Sequence, residues 1–142
     1  MDKQIRQTWD FNCPAQQVWS YLTEPELMEQ WLMKNDFRPE VGYQFHFTFP
    51  ESDKNKYQGI INSQVLEVHP YTRLSYTWNG QLKDGSRSFI STVVWILHPT
   101  SEGTRLELWH DGFEMEEDLL VHKGGWDSCV NKLDQLLKPV LL

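Results

Sequence analysis

The feature that most constrains this chain is a long run of period-two segments followed by one period-3.6 segment. "GYQFHFTFP" sets Tyr43, Phe45, Phe47 and Phe49 on one face and Gln44, His46 and Thr48 on the other. "RLSYTW" does the same with Leu74, Tyr76 and Trp78. In "SFISTVVWILHP" and "GTRLELWHDGF" the inward residues are Val93, Trp95 and Leu97, then Leu106, Leu108 and His110. "YQGIINSQVLEVHP" reads as a long strand with a bend or bulge at Gly59 and a second slip of alternation at Val65 and Leu66. The connections are short and polar: "ESDKNK", "TSEG", and the turn signals Asn79-Gly80 and Asp84-Gly85. Consecutive strands joined this way pair antiparallel, and the resulting sheet has one apolar face to cover.

The covering elements lie at the two ends. Residues 3–11 form a further strand, with Ile5, Gln7, Trp9 and Phe11 on one face. Pro14 then suits the first position of a helix carrying Ala15, Val18, Trp19 and Leu22. "TEPELMEQWL" restarts a second short helix, with Thr23 as N-cap and Glu26 completing a capping box. The last segment, 116–138, places Trp126, Cys129, Val130, Leu133 and Leu137 on one helical stripe. Glu114, Glu116, Glu117 and Asp118 read as its cap and solvated face. Gly124 and Gly125 each cost this helix about 0.8–1.0 kcal/mol relative to alanine, so they either allow close approach to the sheet or leave space for a cavity. The expected class is α+β: a single domain, 1–142, with an antiparallel sheet of about seven strands against a long C-terminal helix.

Seven Trp, seven Phe and five Tyr in 142 residues supply a large core. The net charge of -7 disfavours nucleic acid and anionic membranes as partners. No apolar run is long enough for a membrane span, and the N-terminus lacks a secretory signal. Cys13 and Cys129, the two cysteines, read as reduced thiols. Together these point to a cytoplasmic location. No His/Cys spacing suits a metal, and no cofactor motif is present.

Four stretches in order carry a resemblance to a known family. They are "CPAQQVWSYLTEPELMEQW", "VLEVHPYTRLSYTW", "STVVWILHPTSEGTRLELWHDGF" and "GGWDSCVNKLDQLL". The chain resembles the activator of heat-shock protein 90 ATPase homologue-like proteins, within the START-like superfamily. Cys13 stands where that family usually has alanine. The resemblance implies a helix-grip fold, in which a strongly curved sheet wraps the C-terminal helix and a cavity often lies between them. It also implies small hydrophobic ligands, aromatic or lipid-like, and, for some relatives, a stress-response role beside a chaperone.

The candidate ligand-binding residues follow from the inward faces. They are Phe45, Phe47, Tyr76, Trp78, Val93, Trp95, Leu108 and His110 on the sheet, with Trp126 and Val130 on the helix. The same pattern describes a filled core, and alternation alone does not separate the two. His110 either meets a ligand or serves as a hydrogen-bonded structural histidine. The loop "NGQLKDG" stands near a cavity mouth, where Lys83 within it or Arg87 just after it could meet an acidic group or simply face solvent. No catalytic constellation stands out, and the expectation is a binding protein rather than an enzyme. Two alternatives stay open: a co-chaperone that stimulates a heat-shock ATPase, and a cyclase- or hydrolase-like enzyme using His110.

Overall fold

The computed structural model describes residues 3–138. Strand β1 (Ile5–Phe11) leads into helices α1 (Ala15–Thr23) and α2 (Pro25–Trp31). Six strands follow: β2 (Lys34–Asn35), β3 (Gln44–Thr48), β4 (Ile60–His69), β5 (Arg73–Gln81), β6 (Ser88–Pro99) and β7 (Thr104–Asp111). Helix α3 (Glu116–Leu137) closes the order. The seven strands form one antiparallel sheet in the order β1-β7-β6-β5-β4-β3-β2. The sheet curves around α3, which is the α+β helix-grip arrangement the alternation and the resemblance predict.

Strands β3, β6 and β7, and β4 up to its bulge, bury every second residue, as a sheet with one covered face requires. Phe45 and Phe47 on β3, Val93, Trp95 and Leu97 on β6, and Leu106 and Leu108 on β7 are all buried. Helix α3 adds Trp126, Val130, Leu133 and Leu137 from its inner stripe. Helices α1 and α2 close the flank, where the Trp31 indole donates to the carbonyl of Tyr21 at 2.8 Å. The predicted slip on β4 is a register shift between Val65 and Glu67 against β5. It leaves Leu66 on the exposed side while Val65 stays buried.

Three local readings need correction. Pro14 is the cap of α1 rather than its first helical residue, with an extended ψ of 158°. Thr23 does not cap α2: its hydroxyl donates back to the carbonyl of Trp19 at 2.8 Å, and Glu24 takes the cap position. A buried hydroxyl at the end of one helix is satisfied sooner by its own preceding turn. Asn79-Gly80 is not a turn but part of β5, paired with Ile90 and Phe89 of β6. Glycine is needed there because a Cβ on Gly80 would stand 2.6 Å from the Phe89 ring. The hairpin turns at Asp84-Gly85 instead, where Gly85 has a φ of +74°. Lastly, the two-residue β2 carries no alternation and escapes a pattern reading altogether.

Candidate functional site

The space between sheet and α3 divides into two halves. In the deep half the aromatic side chains fill the volume. Phe37, Phe45, Phe47 and Tyr76 pack with ring centroids 5.0 to 6.3 Å apart. The Trp95 indole donates to the Tyr76 hydroxyl at 2.9 Å. Of the ten candidate residues, eight belong to this packed half: Phe45, Phe47, Tyr76, Val93, Trp95, Leu108, His110 and Val130, each no more than 1% exposed. Trp78 and Trp126 border open space.

His110 is buried and fully hydrogen-bonded. The Trp126 indole N–H donates to its Nδ1 at 2.9 Å. The Ser91 hydroxyl donates to the carbonyl of Trp78 at 2.5 Å, so the Ser91 oxygen accepts a hydrogen bond from the His110 Nε2–H at 2.9 Å. The chain of donors holds one neutral tautomer. Burial first, and neighbouring His122 second, push the imidazole well below its ordinary value. Both nitrogens are engaged, which leaves neither a lone pair nor a proton for a substrate. The satisfying partners are side chains of β6 and α3, not a backbone carbonyl near the helix start.

The open half is a cavity of about 240 Å³. Its walls are Leu32 and Met33 after α2, Phe49 after β3, Asn55, Tyr57, Ile61, Trp78 and Phe89 on the sheet side, and Val121, His122, Gly125, Trp126 and Cys129 on α3. The lining is overwhelmingly apolar, as ligand cavities are. Sequence reading passed over much of this wall because the residues come from seven separate segments. Asp118 and His122, neither of them among the candidates, do carry a signal: with Trp126 they are spaced i, i+4, i+8, so the inner stripe of α3 starts two turns before Trp126.

That stripe organises the cavity's polar edge. Asp118 is buried, not part of a solvated face, and accepts from the Tyr57 hydroxyl at 2.6 Å and from Arg87 at 2.8 Å. Burial pushes its carboxyl up, and the hydrogen bonds from Arg87 and Tyr57 more than reverse this, holding it below the usual carboxylate range. Burial and the Asp118 carboxylate together push the Tyr57 phenol up. Arg87 is therefore occupied within the protein rather than waiting at the mouth. The Lys83 ammonium donates to the carbonyl of Ser52. His122 donates from Nδ1 to the Asp118 carbonyl at 2.8 Å. Burial pushes His122 below its ordinary value, although the Asp118 carbonyl and carboxylate favour its charged form.

Two depressed histidines set the acid limb of stability. Between the ordinary value of 6.5 and the lower folded values, the unfolded chain binds more protons than the native one. The contribution of these two groups is thus present above pH 6.5 and is lost as the pH drops through and below it. The urea midpoint is expected to be lower at pH 5.5 than at pH 7.5, and His110→Phe should flatten that slope.

The glycine pair borders space. A Cβ on Gly124 or on Gly125 would meet nothing within 4 Å, and Gly125 lines the cavity. Close approach to the sheet is thereby excluded as their purpose. Gly124→Ala, well away from the wall, should stabilise the protein by about 0.5–1 kcal/mol in chemical denaturation.

Comparison with known proteins agrees with the fold. The family model described as activator of Hsp90 ATPase homolog 1-like protein matches residues 12–138. A Mesorhizobium loti protein of known crystal structure is 35% identical, with a TM-score of 0.85 over 98% of this chain and 99% of its own. A Bacillus halodurans protein solved in solution is 25% identical, with a TM-score of 0.71 over 95% and 96% of the two chains. A Silicibacter pomeroyi protein shares the fold at 23% identity, with a TM-score of 0.80 over 94% and 96%. No match was found among curated proteins. Among the described residues, no helix is long and apolar enough to cross a membrane. The chain belongs to the activator of Hsp90 ATPase homolog 1-like family, of the START-like superfamily.

Proposed function

We propose that the protein binds a small, flat apolar ligand in the cavity between the sheet and the middle of α3. The observation that supports this most is an open, aromatic-walled space of about 240 Å³ beside an otherwise filled core. A dry cavity of roughly 150 Å³ takes up benzene, so this space suits one or two rings. A sterol or long acyl chain exceeds it. Trp78 and Trp126, with Phe49, Tyr57, Phe89 and His122, are the proposed contacts. The setting proposed for this activity is the cytoplasm.

Titration with one- and two-ring aromatics, followed by tryptophan fluorescence and calorimetry, tests the reading. Binding tighter than millimolar, about 4 kcal/mol, is expected. Gly125→Leu should abolish it while leaving thermal stability intact, because its side chain enters open space. Absence of binding across the panel overturns the reading. The co-chaperone alternative rests on the family name, and ATPase rates of the chaperone with and without this protein test it.

A further inference from the structure

The sheet has two edges. One is β2, only two residues long. The other is β1, seven residues in unbroken antiparallel register with β7, with neither a proline nor a bulge. Apart from the Ile5 carbonyl, which accepts from Arg6 at 2.9 Å, no backbone group of β1 bonds outside that pairing among the described residues. An edge strand leaves alternate N–H and C=O groups open to a further strand, and proteins blunt such an edge with brevity, proline, a bulge or charge. The two charges of β1, Arg6 and Asp10, are spent on its neighbour, where they meet Asp111 and Arg105 of β7 at 2.5 and 2.9 Å. Beside this edge runs a groove of about 510 Å³ between β1 and α3. Trp9, Asp10 and Phe11 line it in succession. Neighbouring strand residues point to opposite faces, so β1 presents its backbone edge to the groove rather than one face. The facing wall includes Asp127, Asn131 and Asp134 of α3. Asp134 has Lys138 at 3.4 Å, whereas Asp127 accepts from the Gln7 amide at 2.8 Å and has no cation among the described residues.

We propose that β1 is a docking edge for a basic extended segment of a partner protein, which adds as an eighth strand with Lys or Arg side chains directed at Asp127 and Asp134. In strand addition of this kind main-chain pairing supplies affinity, and alternate side chains supply selectivity. One face of the added strand meets the groove. Its long basic side chains lay their stems along the partly buried Trp9 ring and carry their charge to the carboxylates of α3. An acidic segment would meet like charge. So would a second copy of this chain, whose net charge is -7 and whose own α3 carries the same carboxylates. None of the groove residues lines the cavity, so occupancy of the edge is independent of the ligand proposed there.

Three peptides as long as β1 test the proposal on the full chain by calorimetry and amide hydrogen exchange. The first alternates lysine and valine, which sets every lysine on one face. The second replaces lysine by glutamate. The third is the fully N-methylated lysine peptide, which keeps the side chains and donates no main-chain hydrogen bond. The lysine peptide is expected to bind more tightly than about 1 mM and to slow exchange of β1 amides, and the other two to bind more weakly. Asp127→Asn with Asp134→Asn should lower its affinity roughly tenfold. Glu29→Gln with Glu102→Gln, which removes the same charge at exposed positions elsewhere, should leave it within about twofold. Equal binding of the N-methylated peptide overturns strand addition. Affinity unchanged by the Asp127 and Asp134 substitutions, or equal for the glutamate peptide, overturns the charge selection. A dimer in sedimentation that protects the β1 amides without peptide makes a second copy the occupant and overturns the proposal, as does failure of the lysine peptide to bind at millimolar concentration.

Discussion

Trp95→Ala is expected to destabilise the protein by about 3–5 kcal/mol, a large part of the stability of a domain of this size. Trp95 is fully buried at the centre of the deep half. Its ring meets Trp31 of α2 edge-on at 5.9 Å and Trp126 of α3 at 5.3 Å. It is the one side chain of β6 that joins the sheet to both helices in this way. Truncation opens a void among three elements and strands the Tyr76 hydroxyl, which is buried and receives the indole N–H. Denaturant unfolding should show the loss, whereas Ile90→Ala, at an exposed position of the same strand, should lie within about 0.5 kcal/mol of wild type. Were Trp95→Ala well tolerated, the deep half would be loosely filled space and the two-part division of the interior would fail.

Asp118→Ala is expected to cost about 2–3 kcal/mol, from lost hydrogen bonds to a charged, buried group. The substitution strands the Tyr57 hydroxyl in a buried position and leaves Arg87 with Glu117 at 3.6 Å as its remaining carboxylate. Arg87 is partly exposed and can turn to water, which keeps the cost below that of an isolated buried charge. Arg87→Met should therefore cost less than Asp118→Ala. The double variant should fall short of the sum of the two, since both remove one ion pair. Asp118→Ala should also weaken ligand binding, because it frees Tyr57, a wall residue, to reorient. Additive effects of Arg87→Met and Asp118→Ala would show that the pair is not coupled.

The fold was legible in the chain because its signals are local. Alternation from Tyr43 to Phe49 or from Phe89 to Leu97 states which face of a strand is covered, whatever lies opposite. The turn at Asp84-Gly85 and the bulge near Leu66 leave similar marks. Asn79-Gly80 misleads for an instructive reason. The dipeptide favours a turn, but the close approach of Phe89 makes glycine necessary in mid-strand as well, and pairing with β6 continues through it. Thr23 shows the same competition between a local motif and a nearer partner.

The site was legible only in part. Trp78 and Trp126 could be named as inward-facing, but so could Trp95 and Phe45, and nothing local distinguishes a wall from a filling. Asp118 looked like a helix-start carboxylate, and its burial depends on Arg87 and Tyr57, 31 and 61 residues away. His110 was visible as an inward histidine. That its two nitrogens are spent on Trp126 and Ser91 depends on where β6, β7 and α3 converge.

Hydrophobic periodicity, turn chemistry and helix length were thus enough to specify a curved antiparallel sheet around one long helix, because each is a property of neighbours along the chain. Whether the enclosed volume is solid or open was decided by tertiary structure. Side chains from distant strands meet at fixed volumes, and the balance of their sizes leaves space on one side only. The glycine pair records the same division: the sequence shows the helical cost at Gly124 and Gly125, and only the folded structure shows that the space beside them is empty.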